Sequence, residues 1–227
     1  MQIFELINLG SKKLKNKSVL THQLDSELII SKILRKKREQ ILANSDRSVS
    51  KNIINDFNKL IKRRLLNEPI AYIFKKKEFW SKDFYVNKNT LIPRPETELL
   101  AEKIVDLFKY KKLFILDIGT GSGCILLSIL LELKKSKGVG IDISKNAIKV
   151  AIRNSKKFNL ESRAKFHIKS FVEITDNKFD LIVSNPPYIP TSELKNLADD
   201  IKKFEPKIAL DGGNDGLDVI KKVIYKS

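Results

Sequence analysis

Cysteine and histidine are scarce in this sequence of 227 residues, which has one of the former and two of the latter. A lone cysteine, Cys124, forms no disulfide within the chain and supplies no cysteine-rich metal site, and His22 and His167 are too few for most histidine-based centres. We therefore expect no bound metal, and we expect Cys124 to be a buried structural thiol. Catalysis has to rest on other residue types.

Long apolar runs are absent as well. No stretch approaches the roughly 18 apolar residues that a membrane span needs. The first residues, MQIFELINLGSKKLKNKS, contain Glu5 and lack the uninterrupted apolar segment of a signal peptide. The sequence therefore predicts a cytoplasmic protein without a membrane partner. Since 42% of its residues are hydrophobic, it also predicts a real core.

Acidic residues are outnumbered, with 27 Asp and Glu against 44 Lys and Arg and a formal net charge of +17. Residues 1–88 hold 20 basic and 9 acidic side chains, and residues 89–227 hold 24 and 18. Such an excess attracts nucleic acid or acidic proteins, so the N-terminal part is a candidate surface for ribosome or RNA contact. A lysine-rich composition spread over solvated faces explains the same numbers, and both interpretations stay open.

The pattern of apolar residues changes along the chain. In residues 1–76 they recur at steps of three and four, which predicts a small helical bundle with Asp25 and Ser50 as helix N-caps. Residues 77–93 are rich in aromatic and β-branched residues around Asn87 and Asn89, the composition of a β-hairpin linker. In residues 94–227 apolar strands alternate with helices, which predicts a doubly wound α/β fold with a parallel sheet.

A glycine-rich stretch, LDIGTGSGC (116–124), ends the first predicted strand of that sheet and opens a helix. Glycines allow a tight turn and close approach of a ligand, while the N–H groups of a helix N-terminus receive an anionic group. Asp142 ends the next strand, 25 residues after Asp117, where a carboxylate accepts hydrogen bonds from both ribose hydroxyls. The loop lacks the third glycine of GxGxxG and any GK[ST], which disfavours hydride and phosphoryl transfer. S-adenosyl-L-methionine is the remaining common ligand of such a site.

A second stretch, DLIVSNPPYIP (180–190), ends a buried strand in a rigid polar elbow. Ligands of open α/β sheets bind beyond the carboxyl ends of the strands, which is where Asn185 lies. Two prolines fix φ, so we expect the Asn185 side chain and the Pro186 carbonyl to point into the cleft as acceptors for a planar NH2 group, with Tyr188 stacked on it. Amide and aromatic-amine nitrogens are poor nucleophiles, so the expected catalytic device is alignment with a methyl donor.

Seven motifs occur in one order along the chain: EPIAYIF (68–74), EFW (78–80), LIPRPETE (91–98), ILDIGTGSGCI (115–125), GIDIS (140–144), NPPYIP (185–190) and FEP..AL.GG.DGLD (204–218). With them the chain resembles, over nearly its whole length, the protein-glutamine N5-methyltransferases of the HemK type. The resemblance implies a Rossmann-like, class I S-adenosyl-L-methionine-dependent methyltransferase domain, preceded by a helical domain that helps to dock peptide-chain release factors. It implies methyl transfer to the side-chain amide nitrogen of the glutamine in their Gly-Gly-Gln motif, within translation termination.

The resemblance also implies site residues. The catalytic residues would be Asn185, Pro186 and Tyr188, and the substrate amide would be bound by Asn185, Pro186, Pro187 and Tyr188. The cofactor-binding residues would be Asp117, Gly119, Thr120, Gly121, Gly123, Asp142, Ile143, Ser170 and Asn185. The motif PRPETE (93–98) lies near the cleft in the family but also reads as a plain helix start, and neither Glu96 nor Thr97 is predicted to be catalytic.

The chain departs from the family's pattern at three places. Lys75 stands where the family commonly has glycine, and Ser170 where an aspartate usually contacts the adenine amino group. The chain also ends soon after the fourth strand of the sheet, whereas the resemblance implies three more. We therefore expect the C-terminal strands to be missing and the fourth strand to form an open edge.

Two alternatives stay open on the sequence. An adenine-N6 or guanine-N2 nucleic-acid methyltransferase uses the same elbow, because an exocyclic amine poses the same hydrogen-bonding problem, and the basic charge suits it. The N-terminal bundle and PRPETE argue for the glutamine enzymes. The second alternative is an inactive, truncated remnant that only binds a partner.

Overall fold

The computed structural model describes residues 1–173 and 178–226. Contacts divide the chain into two compact units, residues 1–74 and residues 75–227, each with its own hydrophobic core. Among the described residues, no helix is both long and apolar enough to cross a membrane. The three-part division that the sequence predicts, with a separate linker at 77–93, stays a prediction.

Five helices make up the N-terminal unit: α1 Ile3–Lys15, α2 His22–Leu34, α3 Arg38–Leu42, α4 Lys51–Leu65 and α5 Ile70–Phe74. Their apolar faces, which the steps of three and four predict, enclose a core that includes Leu14, Ile29 and Phe57. Ser50 caps α4 as predicted, because its hydroxyl accepts the N–H of Ile53 at 3.5 Å.

Asp25 is not the cap of α2, which begins after Thr21. Its carboxylate is buried, where it accepts the Nε–H of Arg64 at 2.7 Å and the hydroxyl of Thr21 at 2.9 Å. Arg64 lies near the end of α4 and is buried too, so this ion pair joins α2 to α4. The prediction of a cap was wrong because a carboxylate in the first turn of a helix can instead form an ion pair with a buried cation.

The second unit starts with an antiparallel hairpin of β1 Lys77–Phe79 and β2 Lys82–Phe84. Its two turn residues, Trp80 and Ser81, have φ values of 54° and 52°, as in a type I′ turn. The hairpin therefore turns earlier than the composition around Asn87 and Asn89 indicates. Those asparagines form a turn of their own, in which the Asn87 side-chain oxygen accepts the Asn89 N–H at 2.9 Å.

The remaining elements build the α/β sheet: α6 Glu98–Phe108, β3 Phe114–Ile118, α7 Cys124–Glu132, β4 Lys137–Asp142, α8 Lys145–Lys157, β5 Ala164–Ile168, β6 Leu181–Ser184, α9 Asp199–Phe204 and α10 Asp218–Lys226. The strands lie parallel in the order β5-β4-β3-β6, which confirms the predicted fold class. The strand order reverses beside β3, and ligands of such sheets bind at the carboxyl ends of the strands at that point. Within residues 1–173 and 178–226, β6 pairs only with β3, so its other side is a sheet edge.

Cys124 is the first residue of α7 and is buried in the core of the second unit, as predicted. Burial raises the pKa of its thiol to about 12. A thiol in this state has almost no thiolate at neutral pH and is a poor nucleophile. Cys124 therefore has a packing role.

Lys75 has a φ of 54°, in the left-handed region, where a non-glycine residue costs about 1–2 kcal/mol. The variant Lys75→Gly removes this strain but gives the unfolded chain more freedom, which costs about 0.5–1 kcal/mol. We expect its free energy of unfolding in urea to rise by about 0.5–1 kcal/mol. The control is Lys88→Gly, since Lys88 is an exposed turn lysine without a positive φ, and it should lose stability. Equal losses in both variants would contradict the prediction.

Candidate active site

Left-handed backbone at alternate glycines shapes the loop between β3 and α7. The φ values are 69° at Gly119, 56° at Gly121 and 78° at Gly123, a conformation that glycine adopts at little cost. A Cβ added at Gly119 would meet no atom within 4 Å, so the space above this residue is open to a ligand. A Cβ at Gly123 would meet Leu127 and Ala151 at 3.1 and 3.3 Å, so this glycine serves the packing of α7 instead.

The carboxylate of Asp142 is held in place at the end of β4. One oxygen accepts the N–H of Gly121 at 3.0 Å and the other accepts the N–H of Ser144 at 2.8 Å. Burial raises the pKa of Asp142, although the two N–H groups act in the opposite direction. A carboxylate has about four acceptor positions, so two remain for the hydroxyl groups of a ligand.

Asp117 lies beneath the glycine loop, only 1% exposed, and does not line the cavity above it. Its Oδ2 accepts the hydroxyl of Thr120 at 2.6 Å, while its Oδ1 is buried without a hydrogen-bond partner among the described residues. Burial raises the pKa of this carboxyl from 3.8 to about 7. Asp117 therefore reaches the cavity only through Thr120, which does line it.

The pKa of Asp117 predicts a pH dependence of stability. Because folding raises this pKa, the unfolded chain releases the proton at a lower pH than the folded chain does. The protonated Asp117 carboxyl therefore contributes fully to the free energy of unfolding below about pH 4, and this contribution is lost as the pH rises to about 7. In Asp117→Asn this contribution is absent. At 1.36 kcal/mol per pKa unit, the free energy of unfolding of the wild type should fall by up to about 4 kcal/mol relative to that of the variant between pH 4 and pH 7. Parallel pH profiles of urea unfolding for the two proteins would contradict this.

A cavity of about 420 Å³ opens at the carboxyl ends of the strands, a size typical of small-molecule sites. The sequence-predicted cofactor residues in its wall are Gly119, Thr120, Gly121, Asp142, Ile143, Ser170 and Asn185. Asp117 and Gly123 lie outside this wall.

A smaller cavity of about 150 Å³ adjoins the first. It is lined by Leu91, Arg94, Asn185, Pro186, Tyr188, Ile189, Ile201, Ala209 and Leu210. Asn185 and Pro186 belong to the walls of both cavities, whereas Pro187 lines only the large one and Tyr188 only the small one. Tyr188 is 60% exposed, so its ring has a free face. A group bound in the small cavity therefore lies beside a ligand of the large one.

Segment 204–218 holds the elbow after β6 in place. The N–H of Ile189 donates to the Leu210 carbonyl at 3.0 Å, and the N–H of Gly212 donates to the Ile189 carbonyl at 2.8 Å. A Cβ at Gly216 would approach the Tyr188 carbonyl oxygen to 2.5 Å, and one at Gly212 would approach the Tyr188 Cα to 2.7 Å. Glycine is required at both positions because the segment packs directly on the backbone of the elbow.

Thr97, which is not among the site residues that the sequence predicts, lines the large cavity. Its hydroxyl oxygen accepts the side-chain N–H of Asn185 at 3.3 Å, although 88 residues separate the two. The sequence signal for Thr97 was the motif PRPETE, whose residues also suit an ordinary helix start. Spacing along the chain contains no information about this contact.

The residues at the large cavity fit an adenosine-type cofactor. Gly119 leaves open space against the backbone, and Asp142 offers two acceptor positions to ribose hydroxyls. In the part of the chain that the structure describes, no three Cys, His, Asp or Glu side chains are grouped so that they could hold a metal ion.

Comparisons with known proteins agree with this geometry. Residues 5–74 match the family described as the PrmC N-terminal domain, and residues 109–209 match a methyltransferase domain. The hMettl16 catalytic domain, in complex with a hairpin of the MAT2A 3'UTR, has a similar fold, with a TM-score of 0.55 and 16% identity over 74% of this chain and 62% of that one. These matches show the class I methyltransferase fold, whose cofactor is S-adenosyl-L-methionine.

Three curated relatives cover most of this chain. The release factor glutamine methyltransferase of Buchnera aphidicola is 40% identical over all of this chain and 81% of its own length. That of Rhodospirillum rubrum is 38% identical over 94% of this chain and 66% of its own length. The chain spans only 46% of the bifunctional methyltransferase of Rickettsia typhi, with which it shares 39% identity. The chain is an S-adenosyl-L-methionine-dependent methyltransferase that belongs to the family of release factor glutamine methyltransferases.

Proposed function

We propose that this chain transfers a methyl group from S-adenosyl-L-methionine to the side-chain amide nitrogen (N5) of the glutamine in the Gly-Gly-Gln motif of release factors. The observation that carries the proposal is the shared wall of Asn185 and Pro186, which lies between the two cavities. An amide held there is adjacent to the methyl donor. The small cavity has mainly apolar walls, which suit the aliphatic stem of a glutamine.

Bound S-adenosyl-L-methionine supplies a methyl group that its sulfonium makes electrophilic. The chain has to align an amide nitrogen whose lone pair is delocalised, and this alignment is the main source of rate. Asn185 Oδ1 and the Pro186 carbonyl accept the two amide N–H groups, and Tyr188 packs on the amide. With the amide so held, the cofactor would supply the methyl carbon and keep the bonding electron pair on its sulfur, and the amide nitrogen would lose a proton to water.

The predicted roles at the cofactor follow the same geometry. Asp142 holds the ribose hydroxyls, and Gly119 with Gly121 admits the cofactor close to the backbone, while Thr120 and Ile143 add to the wall. Ser170 takes the place of a carboxylate near the adenine and offers a weaker, uncharged partner. Asp117 and Gly123 shape the loop from below.

The N-terminal unit is the proposed docking surface for the release factor. Lys12, Lys13 and Lys15 of α1 and Lys59 of α4 are exposed, and Lys13 donates to the side-chain oxygen of Asn58 of α4 at 3.3 Å. Exposed basic side chains of this kind also suit the ribosome, on which release factors act. We accordingly place the protein in the cytoplasm.

Transfer of labelled methyl from S-adenosyl-L-methionine tests the proposal. The wild-type chain is offered an unmodified release factor, RNA and DNA in separate reactions, and we expect label in the release factor alone. Label in RNA or DNA would favour an exocyclic-amine methyltransferase. A folded chain that binds the release factor but labels none of the three would be an inactive remnant.

A further inference from the structure

We propose that Thr97 is a positioning residue for the transfer, because its hydroxyl forms a hydrogen bond with the Asn185 amide and fixes that side chain beside the substrate. The inference rests on the proposed function, since it requires a substrate with an NH2 group beside Asn185. Thr97 itself donates nothing to the reacting atoms.

The two ends of the Asn185 amide differ in their hydrogen bonding. One end, Oδ1, accepts hydrogen bonds, and the other, Nδ2, donates them. Nδ2 donates to the hydroxyl oxygen of Thr97 at 3.3 Å, so Oδ1 is the end left for a ligand. After a rotation by 180° the Thr97 hydroxyl would donate to Oδ1 instead, and the NH2 group of Asn185 would face the NH2 group of the substrate, so the substrate itself disfavours this orientation.

Thr97 does not use its hydroxyl within its own helix. It is the last residue of the 3-10 turn Pro95–Thr97 and leads into α6 with helical φ and ψ values of −70° and −18°. Its side chain makes no capping hydrogen bond. The hydroxyl is therefore available to the Asn185 side chain.

The segment that carries Thr97 is anchored at its start by the buried carboxylate of Glu205. One carboxylate oxygen accepts the N–H of Ile92 at 3.1 Å, and the other accepts an Nη2–H of Arg94 at 2.7 Å. The Glu205 side chain is only 1% exposed, so it is well shielded from competing water. This double contact fixes both the backbone and a side chain of the segment.

Proline then restricts the residues between this anchor and Thr97. Pro93 and Pro95 flank Arg94 and fix their own φ angles. A single 3-10 turn, Pro95–Thr97, follows, in which the N–H of Thr97 donates to the Arg94 carbonyl at 3.1 Å. The hydroxyl of Thr97 is therefore held on a rigid support, as an orienting group has to be.

Two substitutions separate the hydroxyl from the shape of the side chain. Thr97→Val keeps the branched shape and removes the hydrogen bond, and we expect kcat for release factor methylation to fall about tenfold or more. The dissociation constant for S-adenosyl-L-methionine should stay unchanged. Thr97→Ser keeps the hydroxyl and should recover most of the lost kcat. Glu96→Ala is the control, because Glu96 is an exposed neighbour in the same turn.

A double substitution supplies the independent check. In an Asn185→Ala background, Thr97→Val should cause no further loss, because no amide is left to orient. If Thr97→Val is poorly folded in urea unfolding, Thr97→Ala replaces it in the same comparison.

Three results would overturn the inference. They are a wild-type kcat in Thr97→Val, equal losses in Thr97→Val and Thr97→Ser, and a loss in Thr97→Val that weaker cofactor binding explains. Absence of release factor methylation by the wild type would instead count against the proposed function.

Discussion

Asn185→Ala is expected to lower kcat for release factor methylation by at least about a hundredfold while cofactor binding stays close to that of the wild type. In the proposed mechanism the side chain supplies one of the two acceptors that align the amide nitrogen, and an unaligned amide is a poor nucleophile. The proposed ribose contacts belong to Asp142, whose carboxylate is fixed by two N–H groups, so we expect cofactor binding to survive the change. Steady-state kinetics and calorimetry measure the two quantities separately.

The control for this variant is Asn196→Ala. Asn196 is an exposed asparagine in the 3-10 helix Thr191–Asn196 beyond the elbow, away from both cavities, and its loss should leave kcat unchanged. A drop in kcat of less than about threefold in Asn185→Ala would mean that the amide is aligned by other groups. An equal loss of cofactor affinity would mean that Asn185 belongs to the cofactor site alone.

Asp142→Ala is expected to weaken S-adenosyl-L-methionine binding by at least about a hundredfold. Hydrogen bonds to a charged group contribute about 1.5–3 kcal/mol each, and the variant loses two of them. Asp142→Asn keeps one acceptor and should bind with an intermediate affinity. Because Asp142 also accepts the N–H groups of Gly121 and Ser144, urea unfolding has to show that the variants are folded.

Asp106→Ala serves as the matched control, since Asp106 is an exposed aspartate on α6 away from both cavities. It should bind the cofactor with the affinity of the wild type in the same calorimetric titration. Wild-type affinity in Asp142→Ala would contradict the proposed contact between Asp142 and the ribose hydroxyls.

The regular part of the fold follows from the sequence because its signals are local. Continuous apolar strands such as Phe114–Ile118 predict a buried parallel sheet, and the glycines after this strand predict the ligand loop. The position of Asp142 at the end of the next strand follows from the same alternation of elements. Periodicity and turn chemistry give information about neighbouring residues only, and this is sufficient to predict the strands, the helices and the glycine loop.

Other features depend on contacts between distant residues. Asp25 has the sequence of a cap but pairs with Arg64, which is 39 residues away. The turn at Trp80 and Ser81 contains no residue that favours a positive φ, so tertiary packing has to impose it. The burial of Asp117 beneath its loop likewise depends on how the helices cover the sheet. The spacing of residues along the sequence predicts none of these three features.

The elbow shows both situations at once. The two prolines after Asn185 predict a rigid acceptor at the carboxyl end of the strand, and the structure places that residue in the walls of both cavities. The hydrogen-bond partner of its side chain, Thr97, comes from the motif PRPETE, whose residues also suit an ordinary helix start. Recognition of such a pair requires the folded chain.

Tandem mass spectrometry of a release factor incubated with this chain and S-adenosyl-L-methionine tests the central claim most directly. The account predicts one added methyl group on the side-chain amide of the Gly-Gly-Gln glutamine, and none when Asn185→Ala replaces the wild type. A methyl group on another residue of the release factor would contradict the account. So would an unmodified release factor in a reaction where the chain binds the cofactor.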